Sequence, residues 1–100
     1  MATAKKYRNN RLLASANGET CVVCGSEQGV VWAHCNELAA GKGLGTKSHD
    51  LIGAYLCQAC HTIYDEGQST RQEKQAFFLR AFFKSMVKVA EKSANGELRL

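Results

Sequence analysis

The sequence predicts a small α+β domain that closes around a metal and ends in a long amphipathic helix. Three observations predict it. Cys21-Val22-Val23-Cys24 and Cys57-Gln58-Ala59-Cys60 are two thiol pairs at the spacing that grips a tetrahedral ion. Two short apolar runs, Gly29-Val30-Val31-Trp32-Ala33-His34 and Leu51-Ile52-Gly53-Ala54-Tyr55-Leu56, have strand character. Beyond residue 69 the apolar residues recur at helical spacing.

The bulk numbers set the frame. A chain of 100 residues is one domain with a thin core, the size class that relies on a metal or disulfide staple. Five cysteines meet that need, and their odd number argues against a purely disulfide framework. The chain starts without a signal-type apolar run and holds no stretch long enough to span a bilayer. The expected location is therefore the cytoplasm, where thiols stay reduced and bind metals. Thirteen basic residues against nine acidic ones give a net charge of +4, which is compatible with a polyanion partner.

Three segments follow in order. Residues 1–18 are basic, with Lys5, Lys6, Arg8 and Arg11 preceding the first acid, Glu19. A short helix or an ordered arm is expected over 4–16, with Tyr7, Leu12 and Leu13 inward and Asn17-Gly18 as the stop. Its cations read either as a solvated terminus or as a phosphate-contacting arm, since such groups displace counterions from nucleic acid. Residues 19–67 form the cysteine-bearing core. Gly25 lets the first knuckle turn, and Asn36-Glu37-Leu38-Ala39-Ala40 reads as one helical turn. Gly41-Lys42-Gly43-Leu44-Gly45-Thr46-Lys47 lacks the phosphate-loop spacing. It reads as a basic loop over a groove, Lys42 and Lys47 facing nucleic acid, or as a plain connector. His61 to Asp65 opens a helix that Gly67 stops or kinks. In the third segment, 69–93, Ser69-Thr70-Arg71-Gln72 has the form of a capping box. Phe78, Phe82, Met86 and Val89, with Leu79, Phe83, Val87 and Ala90, make a wide apolar face expected to pack on the core. Arg80, Lys84 and Lys88 make a basic stripe, solvated or turned to DNA.

Cys21, Cys24, Cys57 and Cys60 read as a structural zinc site, and the 32 residues between Cys24 and Cys57 leave room for a hairpin and a loop, as in a treble clef. The competing reading is a set of reduced, unligated thiols. Cys35 is a spare ligand or a buried thiol. Cys57 to His61 also fits c-type haem attachment, which the lack of an export signal disfavours.

The histidines are the candidates for chemistry. His61 and Asp65 sit four residues apart on one helix face and can bind one divalent metal. His34, at the end of its strand, is left to take a proton from water. Phosphodiester hydrolysis needs such a base and such a metal.

These residues resemble a known family. Cys-x-x-Cys, a strand ending in Ala33-His34, and an apolar strand into Cys-x-x-Cys-His resemble the HNH, or ββα-metal, endonucleases with a treble-clef zinc. The stretches Gly45-Thr46-Lys47, Asp50-Leu51-Ile52-Gly53-Ala54 and Leu56-Cys57-Gln58-Ala59-Cys60-His61, with Asp65, are similar to the small YbcO-type nucleases of prophages and lambdoid phages. The likeness covers residues 20–66. It implies a phage or prophage origin, a bacterial cytoplasmic setting, DNA as partner and cleavage assisted by Mg2+ or another divalent ion. It gives His34 the role of general base and His61 that of catalytic-metal ligand, and the reading of the residues adds Asp65 or Asp50 beside His61. The chain departs from the pattern at three points. Ala33 stands where many HNH enzymes have a metal-binding aspartate. His49 or Asp50 stands closest to the usual middle asparagine, with Asn36 a poor fit. Cys35-Asn36 replaces an expected arginine. Two further readings stand beside catalysis: a zinc module that binds DNA or a recombination protein without cutting, and a homodimer formed through the Phe-rich helix.

Overall fold

The chain builds an antiparallel hairpin and lays one long helix across it. The computed structural model describes residues 5–43 and 46–100; the first four residues and Leu44-Gly45, part of the glycine-rich loop, lie outside it. The element order is α1 (Asn10–Ala14), β1 (Val31–His34), a 3-10 turn (Leu38–Ala40), β2 (Gly53–Leu56), α2 (Gln58–Glu66) and α3 (Arg71–Ala94). The fold is a small α+β one, as expected. Among the described residues no helix is long and apolar enough to cross a membrane.

β1 and β2 pair with Trp32 opposite Tyr55 and His34 opposite Gly53. All four residues of β2 are buried, so this strand is the core of the molecule. Trp32 packs edge-on to Tyr55 at 4.8 Å, the favoured geometry for aromatic pairs. Gly53 makes this possible. A Cβ at that position would collide with the Trp32 indole nitrogen, which donates to the Asp50 carbonyl at 2.6 Å.

α3 lies across β2 through Phe78, Ala81, Ser85 and Val89. The buried Ser85 hydroxyl accepts from the Tyr55 amide at 3.0 Å and donates to Ala81 O at 2.8 Å, so the helix is hydrogen-bonded to the strand as well as packed on it. Lys88 and Lys92 each reach Glu19 at 3.0 Å and pin the far end of the helix to the segment before the first cysteine. Lys88 thus serves the fold, not an open basic stripe.

Two expectations need correction. The capping box of α3 begins one residue later, at Thr70, with Glu73 in the third position. The Glu73 carboxylate reaches back to the Thr70 amide at 3.0 Å and also lies favourably in the helix dipole. The wide apolar face does not all enter the core. Phe78 and Val89 are buried, whereas Leu79, Phe83 and Val87 are exposed, Phe83 by 71%. A sheet of two strands is too narrow to cover both rows.

Residues 5–9 are an ordered arm and only residues 10–14 are helical, capped by the Asn9 side chain on the amides of Arg11 and Leu12. As the Trp32 indole fills the space above Gly53, Gly53→Ala is expected to cost about 1–3 kcal/mol through overpacking. Thermal unfolding followed by near-ultraviolet circular dichroism should record this as a lower Tm with the Trp32 signal altered.

Candidate functional site

Two sites emerge, one of sulfur and one of imidazole and carboxylate. The knuckle at residues 21–25 turns through Gly25, whose φ of +78° is the left-handed region glycine tolerates. Its amide donates to Cys21 O at 2.9 Å, and the Val23 amide lies 3.4 Å from Cys21 Sγ. The second pair opens α2. Cys57 is its N-cap and receives the Cys60 amide on sulfur at 3.5 Å.

This brings the ligand atoms of Cys21, Cys24, Cys57 and Cys60 all within 4.8 Å of one another, three of the residues buried. Four sulfurs at this separation, approached by backbone N–H groups, fit a tetrahedral Zn2+. Burial alone would raise the Cys21 thiol, but the amides of Cys24, Cys57 and Val23 pull it down to about 7. Burial and the neighbouring thiols of Cys57, Cys21 and Cys24 push Cys60 upward. Four thiolates this close would repel one another without a cation between them. A metal is what makes four thiolates compatible. Among the described residues this is the one group of three or more His, Cys, Asp or Glu placed to hold a metal. Cys35 is buried and stands apart from it.

The second site begins with Asp50, whose side chain is 4% exposed. Its Oδ1 receives His34 Nε2 at 2.7 Å and Arg8 Nη1 at 3.1 Å, and its Oδ2 receives the Asn9 amide at 2.7 Å. Burial would raise this carboxyl. The hydrogen bonds from His34 and the Asn9 amide, and the charges of His34 and Arg8, outweigh burial and hold it below its ordinary value. Asp50 is therefore ionised and only accepts. His34 Nε2 is then the donor to the carboxylate, and in the neutral form of the ring Nδ1 is the nitrogen that carries the lone pair. Asp50 was expected as a metal ligand or as the middle residue of the motif. Its oxygens are already taken, and what it does is hold His34.

His34 lines a cavity of about 490 Å³ together with Lys42, Lys47, Ser48, His61 and Asp65. His61 Nε2 and Asp65 Oδ2 are 3.0 Å apart on one face of α2, as the i, i+4 spacing predicts. Asn36, a poor fit in sequence, belongs here: its Nδ2 donates to Asp65 Oδ1 at 2.8 Å. The Asn36 amide donates to the buried Tyr64 hydroxyl at 2.9 Å, and Tyr64 stacks on Phe78 of α3. The long helix thus positions Asn36, and Asn36 positions Asp65. The two-residue step from His34, which puts both side chains on one side of an extended chain, was the available signal.

Of the six cations read as nucleic-acid contacts, Lys42 and Lys47 line this cavity. Arg8 does other work: besides Asp50, it donates to the carbonyls of Ser48 and Lys47. Lys5 and Arg11 are exposed, and Lys6 lies close to Gly41 and His49. His49 accepts the Tyr7 amide on Nδ1 at 2.9 Å, so it holds the arm and stays out of the cavity.

No protein family, curated protein or solved structure matches this chain.

Two outcomes are expected. Cobalt(II) should bind in the cysteine site and give thiolate-to-metal absorption with four-coordinate character. Cys57→Ser should weaken that band and lower the Tm, while Cys35→Ser leaves the band unchanged. Asp50 has a depressed folded pKa, so its contribution is fully present above the unfolded value of 3.8 and is lost as pH falls through the lower folded value. Asp50→Asn should therefore lower stability at neutral pH by about 1.5–3 kcal/mol. It should also flatten the loss of stability of the wild type below about pH 4, as read by urea titration at several pH values.

Proposed function

We propose that this chain is a metal-dependent DNA endonuclease of the HNH type, with a treble-clef zinc as its structural staple. The observation that carries the reading is the grouping around one cavity of an imidazole backed by a buried carboxylate, a second imidazole paired with a carboxylate, and two lysines. The resemblance to YbcO-type nucleases agrees with it and adds a phage or prophage setting in the bacterial cytoplasm.

In this reading His34 is the general base. Nδ1 takes a proton from a water molecule, and the charge that develops on the ring is met by Asp50 through Nε2–H at 2.7 Å. The water oxygen attacks phosphorus, the phosphorus–oxygen bond to the leaving sugar oxygen breaks, and that oxygen takes a proton from solvent. Lys42 and Lys47 hold the strand by its phosphates. His61 Nε2 and Asp65 Oδ2, a nitrogen and an oxygen donor half open to solvent, are the residues that would hold Mg2+ or another divalent ion, the nitrogen favouring a transition metal. When bound there, such an ion supplies charge stabilisation at the phosphate and the leaving oxygen. Asn36 keeps Asp65 aimed from the side away from His61.

A second reading has its own observation. Ala33 offers no ligand, and both Asp65 oxygens are already engaged, by His61 and Asn36. On this reading the chain is a zinc module that binds DNA without cutting it.

Cleavage of plasmid and branched DNA separates the two. With magnesium, manganese or nickel, the zinc-loaded protein is expected to nick DNA. His34→Ala should lower the rate by about 10²–10⁴-fold, the usual worth of a positioned base. His61→Ala should abolish the metal-dependent nicking. Salt-sensitive binding with no nicking in any of the three metals would establish the non-catalytic module instead.

A further inference from the structure

The cavity that holds His34 does not end at Asp65. A second cavity, of about 520 Å³, shares Asn36 and Asp65 with it as walls and is lined besides by Glu37, Ser69, Arg71 and Lys74. Two cavities joined through the same two side chains make one continuous groove. Arg71 and Lys74 stand three residues apart in the opening turn of α3 and so lie on one helix face. The acid of that turn, Glu73, is directed elsewhere, its carboxylate accepting from the Thr70 amide at 3.0 Å. Arg71 is paired: its Nη2 donates to Glu37 Oε2 at 3.1 Å, with the Arg71 side chain 78% exposed. Hydrogen bonds from Gln75 and Arg71 hold the Glu37 carboxyl below its ordinary value, so it is ionised. An ion pair this open to solvent contributes little to folding, and it can be exchanged for another anion.

A strand with one phosphate at His61 and Asp65 carries further phosphates on either side of it. Lys42 and Lys47 line the half of the groove that holds His34. Arg71 and Lys74 line the other half. We propose that the DNA strand runs on across Asn36 and Asp65 into the second cavity, where Arg71 leaves Glu37 to grip a phosphate and Lys74 supplies a second charge. The inference rests on the nuclease reading and extends its substrate site to α3. A guanidinium fork fits phosphate as it fits carboxylate, so the exchange replaces one charge-assisted hydrogen bond by another. Lys74 needs no such geometry, because an ammonium group acts as a point charge. Glu37 is then a competitor for Arg71 that the strand displaces. Arg71 and Lys74 are positioning residues, and neither meets the reacting atoms.

The two partners of the ion pair should respond with opposite signs. Zinc-loaded proteins are titrated by fluorescence anisotropy against a short labelled duplex, with no divalent metal added so that no cleavage intervenes. Arg71→Ala and Lys74→Ala should each raise Kd about threefold to tenfold and reduce the slope of log affinity against log salt by about 0.9, the value for one phosphate contact. Glu37→Gln should lower Kd, by up to about fivefold, the most that an exposed ion pair is worth. Arg80→Ala removes the same charge from the same helix, but Arg80 lines a different cavity beside Val22 and Val23, so its Kd and slope should stay close to those of wild type. In the nicking assay Arg71→Ala should raise KM and leave kcat unchanged. Wild-type binding by both Arg71→Ala and Lys74→Ala overturns the track, as does a loss in Arg80→Ala as large as that in Arg71→Ala. Unchanged or weaker binding by Glu37→Gln overturns the exchange at Arg71. In each of these cases wild-type nicking would still support the nuclease reading. The expected binding changes without any nicking would keep the track and overturn that reading. A wild-type protein that binds no duplex removes both.

Discussion

A carboxylate with a side chain only 4% exposed has to be matched by donors, and Asp50 is matched from three directions. The arm supplies Arg8 and the Asn9 amide, and the end of β1 supplies His34. The Asp50 backbone extends the same junction, its amide donating to Tyr7 and its carbonyl accepting from the Trp32 indole. One residue therefore ties the N-terminal arm, the loop before β2 and the hairpin core at a single point. Removing one donor from such a cluster leaves a buried charge short of partners, which costs more than the lost bond itself. That is why the arm is ordered rather than a solvated basic tail, and why Arg8 serves the loop rather than a phosphate.

The sulfur cluster does the corresponding work at the other end of the hairpin. It joins the knuckle at residues 21–25 to the first turn of α2, and β1 and β2 run between those two points. In so small a domain the aromatic core of Trp32, Tyr55, Tyr64 and Phe78 is thin, and the four-cysteine junction closes it where apolar surface runs out. The cavity lies between the two junctions. His34 is held from the Asp50 side, while His61 and Asp65 stand on the helix that the cysteines anchor.

Local chemistry made much of this readable from sequence. The thiol spacing, the two strand-like runs, the i, i+4 relation of His61 and Asp65, and the end of α2 at Gly67 are short-range patterns, and each appears in the structure. What could not be read depends on contacts between distant segments. The partnership of Asp50 with His34 joins residues 16 apart, and Arg8 reaches 40 residues along the chain to Ser48. Nothing in the spacing of Asp50 distinguished a metal ligand from the orienter of an imidazole. Asn36 was set aside because it lay far from the second cysteine pair, yet Tyr64 and Asp65 on α2 come back to meet it. Periodicity marked two apolar rows on α3, but how many of them are covered depends on the width of the sheet beneath. Leu79, Phe83 and Val87 stayed outside for that reason.

The functional account depends on which nitrogen of His34 faces the cavity. Long-range proton–nitrogen correlation on zinc-loaded protein at pH 8 reads this directly. With Asp50 ionised and accepting from Nε2, His34 should be the neutral tautomer protonated at Nε2, with Nδ1 bare, and Asp50→Asn should disturb that assignment. A wild-type His34 that carries its proton on Nδ1 would contradict the account, because the lone pair would then point at Asp50 and no base would face the water.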